Sequence, residues 1–171
     1  MALALAAAAV LISPAAKPGP AKPIQAKNLN LTLLYTSSAR GQIRSCNCTK
    51  FRFGGYGRGA TLVKSIREKS PNVILIEGGD ALDWTGLQAD LKTEVTAKAL
   101  KLMGYNAMVP GEDELSKNAE RCLGRFDSKT TPILCANYHK DGSEKPAYAP
   151  HTVAKTKSGI RVGIIGLLSP S

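Results

Sequence analysis

Histidine is scarce in this sequence, with two in 171 residues, and acidic residues are scarce in its first third. No apolar run approaches the roughly twenty residues that a membrane-spanning helix needs, which leaves no membrane span in the mature chain. No Cys-x-x-Cys-His is present, which excludes a c-type haem attachment, and no Walker loop or dinucleotide fingerprint follows a predicted strand. There is no clear nucleic-acid motif, no internal repeat and no low-complexity tract beyond the N-terminal segment. Apolar residues make up 43% and charged residues 21%, a balance that excludes wholesale disorder, and the length suits one domain with a real core. The formal net charge is +10. From Lys17 to Lys69 there are eleven Lys/Arg against the single acid Glu68, whereas the remainder carries twelve of each sign. This basic segment is either a solvated face or an attraction for an anionic partner, such as a phosphorylated small molecule.

The first sixteen residues have the pattern of a secretion signal. Leu3–Ile12 is unbroken apolar sequence and Ser13-Pro14-Ala15-Ala16 supplies small residues for cleavage. Residues 17–28, with three prolines and three lysines, read as a stiff linker. The expected location is therefore outside the cytoplasm, periplasmic or extracellular, with residues 29–171 forming the domain.

Within it, Leu29–Tyr35 and Val73–Ile76 read as strands, the second apolar throughout as expected of a strand covered on both faces. Helices are predicted over Ala60–Lys69, Thr93–Met103 and Leu115–Arg125 from apolar residues at helical spacing. Ala107–Val109 and Ile133–Ala136 supply a third and a fourth strand. Thr152–Lys155 and Ile160–Leu168 flank Thr156–Gly159 as a hairpin. The alternation implies an α/β fold with a mainly parallel sheet flanked by helices, ending in a hairpin. Ligands of such sheets gather at the strands' carboxyl ends, which points to Thr36–Arg44, Gly78–Gly86 and Gly111–Glu114.

Cys46-Asn47-Cys48 lies among Arg40, Arg44, Lys50, Arg52 and Arg58. Neighbouring cations favour the thiolate that redox and metal-binding cysteines use. The two cysteines can close a tight disulfide, ligate a thiophilic metal, or pair with Cys122 and Cys135; two ordinary disulfides are the structural alternative. The following Gly54–Gly59 stretch can cradle an anion at a helix start or serve close packing, and Arg40, Arg44 and Arg58 are candidate anion-binding residues.

Five segments in order resemble the N-terminal domain of the 5′-nucleotidase branch of calcineurin-like metallophosphoesterases: Leu31–Ser38, Asn72–Asp80, Gly104–Glu114, Pro132–Asn137 and Arg161–Leu167. The Cys-x-Cys pair, with Gly54–Leu62 and Gly111–Leu115, is similar to a divergent bacterial exported branch, some members of which carry selenocysteine. The resemblance implies the metallophosphoesterase fold, its N-terminal part only, with a further C-terminal region in the full protein. It also implies phosphoester hydrolysis of nucleotides by two divalent metal ions. The family holds these with Asp-x-His after the first strand, Asp after the second and Asn-His after the third. Here Ser38 and Arg40 stand at the first pair, Asp80 at the second position, and Glu112 and Asp113 at the third. A guanidinium stays protonated and cannot ligate a cation, so the family's two-metal centre is not expected to form intact. Asp80 and Arg40 are the catalytic candidates, with Arg40 expected to pair with Asp80 in place of metal charge. Asp80, Glu112 and Asp113 are the candidates for a remnant divalent-metal site. The rival expectations are a thiol-based redox or metal-handling module built on Cys46 and Cys48, and a non-catalytic anion-binding domain.

Overall fold

A computed structural model describes residues 30–47, 53–82, 86–116, 121 and 123–169. The expected signal and linker, and Cys48 and Cys122, lie outside the described residues. Strand β1 (Thr32–Thr36) pairs in parallel with β2 (Val73–Glu77), in a register that sets Thr36 opposite Glu77. Strand β2 pairs in parallel with the short β3 (Ala107–Met108), giving the order β1-β2-β3. Strand β2 is far more buried than β1, as its uninterrupted apolar run requires.

Helix α1 spans Tyr56–Lys69 and helix α2 spans Ala89–Met103. Their inward residues Val63, Ala97, Leu100 and Met103 pack with Leu75, Tyr105 and Met108 of the sheet layer. Helix α2 stops at Gly104, in the left-handed conformation expected of a C-terminal glycine. Arg67 of α1 donates to the carbonyls of Met103 and Gly104, which ties the two helices together where α2 ends.

Three boundaries differ from the sequence expectation. Helix α1 starts four residues before Ala60, because Tyr56 packs on the core and its amide donates to Ile43 O at 3.1 Å. A Cβ on Gly55 would fall 2.6 Å from Ser45 N, so the glycines there serve close approach rather than a loop. The third helix starts three residues before Leu115: α3 covers Glu112–Ser116, and Arg121 and Leu123 are helical, with 117–120 and 122 outside the described residues. The fourth strand is not continuous; Ile133 bridges Met108 and Leu134 bridges Ala149, both in parallel. The peptides there are shared between β3, residue 149 and Gly166, so no one partner strand holds the run. The hairpin forms as expected, with β4 (His151–Lys155) antiparallel to β5 (Arg161–Ile165). It docks through a buried bond from Thr156 Oγ1 to Asn72 Oδ1 at 2.8 Å and through Asn137, which bonds both Leu168 N and O.

Candidate functional site at the sheet edge

Beyond their paired strands, the loops after β1 and β2 continue side by side. Gly78 N donates to Thr36 O, Ser38 N to Gly79 O, Arg40 N to Asp80 O and Gly41 N to Ala81 O, at 2.7–2.8 Å. The backbone alternates sharply along this seam. Ser38, Arg40 and Asp80 have φ of 53°, 44° and 53°, and they are the non-glycine residues with positive φ among the described residues. Each departs from the backbone that an L-residue prefers, a strain on the order of 1–3 kcal/mol that clusters at functional sites.

The loop after β3 closes on the same seam. A Cβ on Gly111 would overlap Asp80 Oδ1, so only glycine lets the two loops meet. Asp113 N donates to Asp80 Oδ1 at 3.4 Å. Beneath them lies Glu114, with none of its surface exposed. Its carboxylate accepts from Gly111 N at 2.7 Å, Asp80 N at 2.9 Å and Leu82 N at 3.0 Å. Burial pushes its pKa up, and these three backbone donors counter the rise. Glu114 thus fastens the second and third loops to each other.

Glu77, 1% exposed, forms a second buried carboxyl under the seam. The Thr36 hydroxyl donates to it and lies 2.8 Å from the hydroxyl of Tyr105. Burial pushes the Glu77 pKa up to about 7, against the lowering influence of the Thr36 hydroxyl and the Gly79 amide, while the Glu114 charge adds to the rise. Burial likewise raises Tyr105.

Of the residues singled out from sequence, Ser38, Arg40, Asp80, Glu112 and Asp113 do reach one sheet edge. The expected ion pair does not form: Arg40 and Asp80 meet through their backbones, and no ion pair joins them among the described residues. The peptide seam satisfies the contact and leaves the guanidinium exposed. The remnant divalent site expected from Asp80, Glu112 and Asp113 is not assembled either. Asp80 faces the Asp113 amide, Glu112 is exposed, and among the described residues no three His, Cys, Asp or Glu side chains gather to hold a metal ion. This donor set, with a guanidinium at position 40, does not fit the two-metal centre that the resemblance implies.

Cys46 is disulfide-bonded, to a partner outside the described residues, which is one of the arrangements expected of the Cys-x-Cys pair. Its amide donates to Phe53 O at 2.7 Å and its sulfur accepts from Phe53 N at 3.3 Å. Cys135 is a buried free thiol. Arg44 and Arg58 line one cavity of about 520 Å³ at the start of α1, with Gly54, Gly55 and Thr61. Arg40 is not among its lining residues, so the three candidate anion-binding residues do not form one site. His139 bonds Ser143 O and His151 begins β4, both apart from the edge loops.

The fold has known counterparts. A crystal structure of a 5′-nucleotidase precursor from Thermus thermophilus matches 82% of this chain with a TM-score of 0.66 and 25% identity, over 29% of that protein. The fold is that of the N-terminal domains of 5′-nucleotidases and calcineurin-like phosphoesterases. In sequence, the chain is 30% identical to a 5′-nucleotidase of Rattus norvegicus over 156 residues, covering 84% of this chain and 27% of the relative. It is 29% identical to a 5′-nucleotidase of Diplobatis ommata over 155 residues, covering 85% and 27%. The chain spans about a quarter of the length of these relatives. No profile of a known protein family matches it. The likenesses support the 5′-nucleotidase and metallophosphoesterase superfamily, whose members use divalent metal.

Glu77 and Glu114 escaped the sequence reading. The signal for Glu77 was an acid closing the apolar run Val73–Ile76. For Glu114 it was the last place in an acidic triplet, beside Leu115.

Proposed function

We propose that this chain is part of an exported 5′-nucleotidase-like phosphoesterase in which the edge loops keep their scaffold while the two-metal site is degraded. The observation that carries the reading is the coincidence of three left-handed residues with three of the family's ligand positions: Ser38, Arg40 and Asp80 hold special backbone conformations, yet two of their side chains are unsuited to metal. Phosphoester hydrolysis of nucleotides is then the ancestral activity. The present edge offers an exposed guanidinium for a phosphorylated small molecule and carboxylates at 80, 112 and 113 for its hydroxyl groups. The disulfide at Cys46 supports a periplasmic or extracellular location, where such bonds persist.

The test uses the full-length protein. Phosphate release from 5′-AMP is measured with and without added Mn²⁺, Co²⁺ or Zn²⁺. The expected result is no metal-dependent release, with metal binding gained when Ser38→Asp, Arg40→His, Glu112→Asn and Asp113→His are combined. Metal-dependent hydrolysis by the wild type that disappears in Asp80→Asn would overturn the reading. A thiol-based role for Cys46 and Cys48 is favoured instead if mild reductant changes the protein's activity while metals do not.

A further inference from the structure

A second cavity, of about 710 Å³, opens at β1's carboxyl end, walled by the first edge loop, the start of α1 and the end of α2. Its volume is in the range of small-molecule sites. Aromatic rings dominate the wall: Tyr35, Phe53, Tyr56 and Tyr105, with Leu62 and Met103 between them. Tyr35 is 72% exposed and its ring adjoins the other apolar side chains of the wall. Arg58 is the one charged residue among those lining the cavity, with no acid to offset it. A guanidinium beside aromatic faces suits a flat anion, which it can pair with in plane while the rings stack on the ligand.

Thr36, Ser37, Gln42 and Tyr105 supply polar uncharged side chains to the cavity. Thr36 commits its single proton to Glu77 and shares a hydrogen bond with the Tyr105 hydroxyl. With its proton on Glu77, Thr36 is left to accept from a ligand, which suits an N–H or amine on the ring edge.

We propose that this cavity binds a small anionic heteroaromatic molecule, its ring among the tyrosines and its anionic group on Arg58. The site takes Ser37, Ala39 and Gln42 from the first edge loop but none of the former metal positions, so it does not depend on whether the metal site is degraded.

The test is calorimetric titration of the full-length protein with 5′-AMP, adenosine and inorganic phosphate. AMP should bind more tightly than either part alone, with adenosine weaker by about tenfold for loss of the charged contact. Arg58→Ala should remove the difference between AMP and adenosine, and Tyr35→Ala should weaken both. Lys157→Ala, in the distant hairpin turn, should change neither. All three side chains are exposed, so unchanged melting is the check on folding. AMP affinity unaffected by Arg58→Ala and Tyr35→Ala would overturn this proposal while leaving the edge-loop reading intact. Absence of AMP binding, with Tyr35 shielded from nitration in the intact protein, would also overturn it and would mean that polypeptide covers the cavity.

Discussion

Replacing Glu77 by Gln isolates the cost of keeping an acid under the sheet edge. The folded protein holds the Glu77 proton up to about pH 7, whereas a free glutamate releases it near 4.5. Between these values the unfolded chain has lost a proton that the folded chain retains, so stability falls as pH rises through that window. Below 4.5 both states are protonated and above 7 both are ionised, and the contribution is flat at either end. The rise in pKa corresponds to about 3 kcal/mol across the window. Because Glu77 is 1% exposed, solvent screening removes little of it. Gln cannot titrate and still offers an oxygen to the Thr36 hydroxyl. The variant should match the wild type near pH 4 and exceed its stability by up to about 3 kcal/mol at pH 8. Urea denaturation followed by far-ultraviolet circular dichroism at intervals from pH 4 to 8 gives the two curves. Glu114, also shifted upward by burial, is coupled to Glu77 through its charge, so the difference curve reports Glu77 together with the easing of Glu114 that its removal brings. A flat difference, or one that grows as the pH falls, would refute the reasoning.

Gly111→Ala drives a methyl group into Asp80 Oδ1, so the seam must open. A loss of about 3 kcal/mol is expected, read as a lower melting temperature, and a melting point unchanged within error would contradict the close approach. Arg67→Ala removes both donors to the carbonyls that end α2. A loss of about 1–2 kcal/mol is expected for these charge-assisted bonds, and hydrogen exchange should quicken most in the last turn of α2.

How much of this was legible in the sequence differed by physical cause. Val73–Ile76 announced a doubly covered strand because hydrophobic burial on both faces leaves an unbroken apolar run. The convergence of Ser38, Arg40, Asp80 and Glu112 at one edge followed from parallel topology alone, since each lies just past a strand's carboxyl end. The start of α1 was hidden because glycine's low helix propensity outweighs, in sequence, a tertiary contact made by Tyr56. Ile133–Ala136 has the composition of a strand, but its peptide partners come from three places, and composition carries no information on partners. Glu114 was hidden for a different reason: which of three consecutive acids turns inward depends on the backbone amides waiting for it, and these come from loops far apart in the chain. The missing Arg40–Asp80 pair has the same origin, because adjacency of two loops does not say whether backbones or side chains make the contact.

The seam between the first two loops has one more consequence. Its shape is set by peptide hydrogen bonds, by Gly111 and by a carboxylate buried beneath it, so the side chains at positions 38 and 40 take no part in holding it. They can be exchanged, without unpicking the seam, for other residues that accept their positive φ. The ladder of amides works as a socket whose fittings can be changed while the wall stays up. Chemistry at this edge can therefore be lost, altered or regained through a few substitutions, and the likeness of fold to active hydrolases constrains what the loops are shaped to hold far more tightly than what they now do.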